Sequence, residues 1–243
     1  MRPMLFRLLQ ARHDDDPMQL EERRSFAARL GVPLAEVVPY NVIDAPADAG
    51  AWCEGMDGVL VGGSGEYGVL DGHAWVNAFI DTLAEVAASG PPLFASCFGF
   101  QALVVAMGGE VVTDEARAEV GTYRITLTDE GRADPLFGGT SAEFDAQQGH
   151  KDSAARLPSG VTHLARSERC RYQAIRIGDR PAYATQFHPE LTGAENLARF
   201  ERYYELYRKH FDPAEAERIR TTHRASPESN ALLESWRALV AGA

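Results

Sequence analysis

The sequence predicts an α/β fold of three layers: a mostly parallel central sheet with helices on both faces, a small antiparallel portion and a helical C-terminal tail. Three observations predict it. Short apolar runs alternate with helical stretches along the first half of the chain, the pattern of a parallel sheet covered on both sides. The middle then changes character: Gly121–Thr128 alternates β-branched with polar residues, the mark of a strand with one wet face. The length, 243 residues, suffices for one large domain with a substantial core.

The elements follow in order. A first strand is expected at Met4–Leu9, then a charged loop around Asp14-Asp15-Asp16-Pro17 and an amphipathic helix over Gln19–Leu30, closed by Gly31. Val37–Val42 and Asp57–Val61 read as strands, the second running into Gly62-Gly63-Ser64-Gly65. A helix over Gly72–Ala88, a strand at Leu93–Ser96 and a helix over Phe98–Met107 come next. After Gly121–Thr128, short strands are expected at Phe144–Gln147, Val161–Arg166, Ala174–Ile177 and Ala182–Phe187, partly antiparallel. A helix over Gly193–Phe211 completes a domain of residues 1–211. Residues 212–243, broken by Pro213 and Pro227, form a helical extension packed on that domain or on a partner. Its apolar stripe Leu232, Leu233, Trp236 and Leu239 suits its own domain, a partner protein or a second copy equally.

Composition removes whole classes of function. With 24 Lys and Arg against 35 Asp and Glu, the net charge is −11, which argues against nucleic acid or an anionic membrane as partner. No apolar run approaches the ~20 residues that span a bilayer, and the first residues lack the apolar stretch of a signal peptide. Cys53, Cys97 and Cys170 are widely spaced and odd in number, so they read as reduced thiols of a cytoplasmic protein, neither a disulfide frame nor a metal site.

The segment Leu93-Phe94-Ala95-Ser96-Cys97-Phe98-Gly99-Phe100-Gln101 carries the most chemistry. A buried strand ends at Ser96 and a helix begins after Cys97, so the cysteine occupies a sharp strand-to-helix turn among small residues. There the backbone N–H groups and the helix dipole favour a thiolate and can stabilise an oxyanion. A buried structural cysteine is the alternative that this segment alone leaves open. A nucleophilic thiol needs a base, and His188 in Gln186-Phe187-His188-Pro189-Glu190 is the best placed of seven histidines. Pro189 keeps His188 extended, and in an extended segment residues i and i+2 face one way. Glu190 can then accept the second imidazole N–H and set the tautomer.

Cys97-x-Gly99-x-Gln101 and Gln186–Glu190 together resemble the class I, triad-type glutamine amidotransferases. Val59–Ser64 is similar to that family's strand and Gly-Gly oxyanion loop, Gly149–Asp152 to its His-x-Asp segment, and Leu164–Ser167 with Gln173–Ile175 to its late strands. The likeness runs from about Val37 to Phe211 and is nearest to the amidotransferase domain of GMP synthase and its free-standing relatives. It implies a flavodoxin-like fold, no cofactor and no metal. It further implies Cys97 as nucleophile, His188 as acid/base, Glu190 as orienter, an oxyanion hole from the backbone N–H groups of Gly63 and Phe98, and substrate contacts from Gln101, Gln148, Gly149 and His150. The implied reaction hydrolyses the glutamine side-chain amide through a γ-glutamyl thioester, passing ammonia to a separate synthetase subunit. Ala95, Phe100 and Ser64 depart from the family's usual glycine, histidine and proline, which bears on substrate detail and removes no catalytic group. A hydrolase of other γ-glutamyl amides and a non-catalytic binding or regulatory relative remain as alternatives.

Four further features are read more plainly. Gly63-Ser64-Gly65-Glu66-Tyr67-Gly68 satisfies the dinucleotide glycine spacing, yet no helix opens at Gly68 as that motif demands. His13-Asp14-Asp15-Asp16 reads as a solvated loop. His150 with Asp152 is either a second acid/base pair or support for the pocket floor. The Arg-rich stretch Arg199–Lys209 reads as a solvated helix face with i,i+4 pairs.

Overall fold

The computed structural model describes residues 2–45, 47–207 and 213–242. Among them, nine strands form one sheet in the order β2-β1-β3-β4-β11-β10-β9-β6-β7: β1 (Phe6–Ala11), β2 (Val37–Asn41), β3 (Gly58–Ser64), β4 (Leu93–Ser96), β6 (Glu119–Leu127), β7 (Glu143–His150), β9 (Val161–Arg166), β10 (Ala174–Ile177) and β11 (Ala182–Thr185). The pairs from β2 through β11 are parallel, and every pair beyond β11 is antiparallel. The wet-faced Gly121–Thr128 thus lies in β6, within the antiparallel half. Two strands not foreseen, β5 (Glu110–Thr113) and β8 (Asp152–Arg156), form a separate antiparallel ribbon.

The helices are α1 (Met18–Leu30), α2 (Ala49–Cys53), α3 (Ala74–Ser89), α4 (Phe98–Ala106), α5 (Asp129–Ala133), α6 (Gly193–Tyr207), α7 (Pro213–Thr222) and α8 (Pro227–Ala241). The short α2 and α5, five residues each, were also unforeseen; a single turn of helix has no periodicity to read. Residues 208–211 of the expected helix Gly193–Phe211 lie outside the described residues. Gly31 ends α1 in the left-handed conformation at φ 66°, and its N–H closes onto the carbonyls of Ala27 and Ala28.

Strand alternation sorts the core into two layers. Val59, Val61 and Ala95 face a layer built by α2, α3 and α4, with Trp52, Phe79, Leu83, Phe98 and Leu103. Leu60, Leu8 and Phe94 face the other, where α1 and α8 supply Phe26, Leu30, Leu233 and Trp236. The stripe of the C-terminal helix is therefore core: Leu232, Leu233 and Trp236 are at most 1% exposed. The Trp236 ring packs 5.7 Å from Phe6 and 5.8 Å from Phe94, and its Nε1–H donates to the Pro181 carbonyl at 2.9 Å. On the opposite face α4 lies directly on β3, so closely that a Cβ on Gly99 would come within 2.7 Å of Val61. That contact positions the start of α4, and with it Cys97, at the carboxyl end of the parallel strands, where open α/β sheets place their ligand crevice. No helix among the described residues is long and apolar enough to cross a membrane.

Candidate active site

Cys97 is the turn between β4 and α4. Its backbone stands at φ 51°, ψ −103°, and among the described residues no other non-glycine has positive φ. Such a conformation costs on the order of 1–3 kcal/mol and persists only where surrounding structure enforces it. Two hydrogen bonds do so: the Cys97 N–H donates to the Thr185 carbonyl at 2.8 Å, and the Cys97 carbonyl accepts from the Gln101 N–H at 3.0 Å. The sulfur is buried, 3.9 Å from the Gly149 carbonyl and 3.8 Å from Gln186 Nε2.

His188 follows the end of β11. Its N–H donates to the Gln147 carbonyl at 2.9 Å, which ties it to β7. The ring donates from Nδ1 to Glu190 Oε1 at 2.7 Å, as the i,i+2 spacing predicts, so Nε2 is the nitrogen left for chemistry. Burial by itself would lower the imidazole's pKa; the charges of Glu190 and Cys97, with hydrogen bonds to both, outweigh it and push the value up to about 10. Burial acts to raise Glu190, and His188 and Arg199 hold it below the usual carboxylate range instead. The cationic form of the ring is thus the stabilised one here. Gly63 forms the wall behind the ring: a Cβ there would lie 2.8 Å from His188 Cε1.

The remaining expected residues surround this centre. Phe98 opens α4, which leaves its N–H outside the helical ladder. Gly149 faces the sulfur through its carbonyl, between Gln148 and His150 on β7. Gln101 is buried as a strut, its Nε2 donating to the Asp152 carbonyl at 2.8 Å and lying 3.4 Å from Gln186 Oε1. Gln148 Nε2 donates to Gln173 Oε1 at 2.8 Å. His150 does not pair with the Asp152 carboxylate: its ring bonds the Asp152 carbonyl and, at 3.1 Å, the carboxylate of Glu119. Asp152 Oδ1 instead accepts from Thr113 Oγ1 at 2.7 Å, so this is pocket support and not a second acid/base pair. Glu119 also accepts from Ser167 Oγ at 2.7 Å and Gln173 Nε2 at 2.6 Å, and burial followed by the Glu119 charge pushes the neighbouring Cys170 thiol up to about 12. Glu119, His150 and Cys170 lie close enough to hold a metal, but both Glu119 oxygens and both His150 nitrogens are already hydrogen-bonded. The glycine motif Gly63–Gly68 ends its strand at Ser64, with no helix before Ala74, which rules out the dinucleotide geometry.

A pocket of about 100 Å³ opens beside His188, walled by Gly63–Gly65, Gly149 and the α6 residues Asn196 and Arg199. Within the stretch Arg199–Lys209, Glu201 and Arg202 are exposed as expected and residues 208 and 209 lie outside the described residues, but Arg199 departs from the expected solvated face. It is 8% exposed, with Nη1 3.4 Å from Glu190 Oε1 and 3.9 Å from Glu22 Oε1. Glu22 and Arg12 were not foreseen either. They are buried and paired fork to fork, Nε to Oε2 at 3.0 Å and Nη2 to Oε1 at 3.1 Å. Their partners lie on different elements, and no motif marks them.

The family model described as glutamine amidotransferase class-I matches residues 27–202. The glutamine-hydrolysing GMP synthase subunit of Methanocaldococcus jannaschii is 36% identical over 104 residues, 43% of this chain and 53% of that one. Its counterpart from Methanothermobacter thermautotrophicus is 34% identical over 118 residues, 48% of this chain and 61% of its own. The chain therefore matches between about half and three fifths of the length of these relatives. Among solved structures, a glutamine amidotransferase from Thermotoga maritima superposes with a TM-score of 0.70 at 19% identity, covering 99% of both chains. One from Methylobacillus flagellatus gives 0.69 at 20% identity, covering 99% of this chain and 94% of the other. These two likenesses establish the fold.

Proposed function

The chain belongs to the glutamine amidotransferase class-I family, and from that premise we propose that it hydrolyses the side-chain amide of glutamine to glutamate and ammonia through a thioester on Cys97. One observation carries the reading: the only non-glycine residue in a left-handed turn, among the described residues, is a cysteine beside a histidine whose second nitrogen is bonded to a buried carboxylate at 2.7 Å.

Cys97 Sγ attacks the amide carbon with the thiol's proton resting on His188 Nε2, the state that the raised imidazole pKa favours. The oxygen that becomes anionic is received by the backbone N–H groups of Gly63 and Phe98. Collapse of this intermediate breaks the C–N bond, and the proton on His188 leaves with the nitrogen as ammonia. Water, deprotonated by His188, then attacks the thioester carbon; glutamate departs and the thiol is restored. Glu190 keeps the ring in the tautomer that presents Nε2 to both halves of the reaction. The backbone around Gln148, Gly149 and His150 holds the amino-acid end, and Gln101 supports the chain just beyond it through the Asp152 carbonyl.

The destination of the ammonia is a separate protein that activates the acceptor, an arrangement in keeping with relatives that are themselves one subunit of a GMP synthase. The chemistry needs no cofactor. Unpaired thiols at Cys53, Cys97 and Cys170 fit a cytoplasmic setting, and residues 1–211 supply all the catalytic groups, with 212–243 as a helical extension. The test is ammonia release from glutamine by the purified chain, with Cys97→Ala as control. Turnover that survives this substitution, or labelling of no cysteine by an electrophilic glutamine analogue, sinks the proposal.

A further inference from the structure

Behind the triad lies a run of charged groups that the amidase steps do not use. Glu190 meets Arg199 of α6 at 3.4 Å; Arg199 meets Glu22 of α1 at 3.9 Å; Glu22 is gripped by both prongs of Arg12, at the end of β1, and by Gln10 Nε2 at 2.9 Å. Arg12 continues to Tyr203, 2.5 Å away, and to Asp16, and Tyr203 donates to Asp16 Oδ2 at 2.6 Å. Glu22 is fully buried, and Arg12 and Arg199 are at least nine-tenths buried. The same groups touch the glycine loop. A Cβ on Gly62 would meet Glu22 Oε1 at 2.6 Å, and one on Gly65 would run into the Tyr203 ring.

We propose that Arg199 and Glu22 are positioning residues for the amidase reaction: with Arg12 they form one buried ion cluster that holds the Glu190 carboxylate on one side and the Gly62–Gly65 loop on the other. This rests on the reading of Cys97, His188 and Glu190 as a triad. Buried ion clusters of this kind are a poor way to gain stability, because apolar residues of equal volume commonly do as well. What they provide is geometry that apolar packing cannot: fixed directions between charges. Here the directions matter on both flanks. His188 keeps its orientation only while Glu190 keeps its own, and the Gly63 N–H can reach the developing oxyanion only while Gly62 and Gly65 stay in place. The Glu190–Arg199 contact is long and single, and each partner retains one buried atom without a hydrogen bond among the described residues, Glu190 Oε2 and Arg199 Nη2. The pair therefore has unused capacity for a second prong.

The groups facing Glu190 are His188 beside it and Arg199 from α6, with Cys97 beyond the ring and Glu22 beyond the guanidinium. Removing the Arg199 charge leaves Glu190 with one cation fewer, so more of it is protonated at low pH. The experiment compares the full-length chain with Arg199→Gln, Arg199→Lys and Glu22→Gln, after circular dichroism and thermal melting confirm folding. Two profiles are read against pH: steady-state glutamine hydrolysis, and alkylation of Cys97 by iodoacetamide, which needs no turnover. Arg199→Gln is expected to lower kcat about tenfold with KM changed by less than about threefold, and to move the acid limb of both profiles to higher pH. Arg199→Lys keeps the charge but not the fork, so it restores the limb and only part of kcat. Glu22→Gln lowers kcat through the loop without moving the limb as far. A folded Arg199→Gln with wild-type alkylation and hydrolysis profiles overturns the inference. If Arg199→Gln does not fold, Arg199→Lys decides it: wild-type kcat overturns the inference, and reduced kcat with an unmoved limb upholds it. A wild-type chain that turns over no glutamine counts against the proposed function alone, since the alkylation profiles still decide this point.

Discussion

The Glu22 carboxylate packs against the α-carbon of Gly62 so closely that a methyl group there would stand 2.6 Å from Oε1 and 2.7 Å from Cδ. A flexible surface glutamate would swing away. This one is pinned by Arg12 and Gln10, and it is fully buried. Gly62→Ala should therefore destabilise the fold by about 2 kcal/mol, a drop of about 6 °C in Tm, and lower kcat for glutamine at the same time. An unchanged melting curve would mean that the cluster is softer than its contacts indicate.

Cys97 offers a test of stored strain. Cys97→Ala and Cys97→Gly should both abolish ammonia release, because each removes the nucleophile. They should differ in stability: glycine adopts φ 51° without steric cost, alanine does not. Cys97→Gly is expected to unfold at higher denaturant than Cys97→Ala, by about 1 kcal/mol. Equal midpoints would show that the turn is not strained.

The raised pKa of His188 sets a pH dependence of stability. The folded value of about 10 stands above the unfolded 6.5, so the charged ring's contribution is complete below pH 6.5 and is lost as pH climbs toward 10. Urea unfolding followed across that window should show wild-type stability falling with pH. Glu190→Gln and Cys97→Ala each remove one of the charges responsible, so each should flatten the slope. Parallel slopes in all three proteins would contradict the assignment.

Trp236 should behave as a core residue, although it lies near the end of the chain. With no exposed surface, two aromatic neighbours and a satisfied indole N–H, Trp236→Ala is expected to cost about 3–5 kcal/mol. Denaturant titration would measure it, and a loss below about 1 kcal/mol would place α8 outside the cooperative unit.

The catalytic centre was legible in the sequence because its signals are local. Cys97 stands between an apolar strand and a helix, and Glu190 follows His188 by two residues, so backbone geometry alone brings carboxylate to imidazole. Most strands between Val37 and Thr185 were legible for the same reason, as short apolar runs or, in β6, as local alternation. Glu22, Arg12 and Arg199 were not. A charged residue on an amphipathic helix looks the same whether it faces solvent or a buried opposite charge, and the partners of Arg199 lie on α1 and beyond β11. Glu119 was hidden likewise: it stands just ahead of the expected strand Gly121–Thr128 and reads as an ordinary polar residue until β7 and the Ser167–Gln173 loop close around it. β5 and β8 are four and five residues long and exist as strands through their mutual pairing, a long-range event that neither segment encodes alone.

The contact between Trp236 and Phe6 carries a consequence for how the molecule is made. Phe6 leaves the ribosome 230 residues before the indole that covers it. At ~5–20 residues per second, the delay is on the order of tens of seconds. During that interval β1 has an uncovered aromatic face, and Arg12, directly after it, has a half-formed set of charge partners. The nascent chain cannot complete its catalytic geometry by finishing its N-terminal half first. Translation must run through α8 before the seam closes, and any chaperone or partner that meets the growing chain earlier meets it with this apolar seam open.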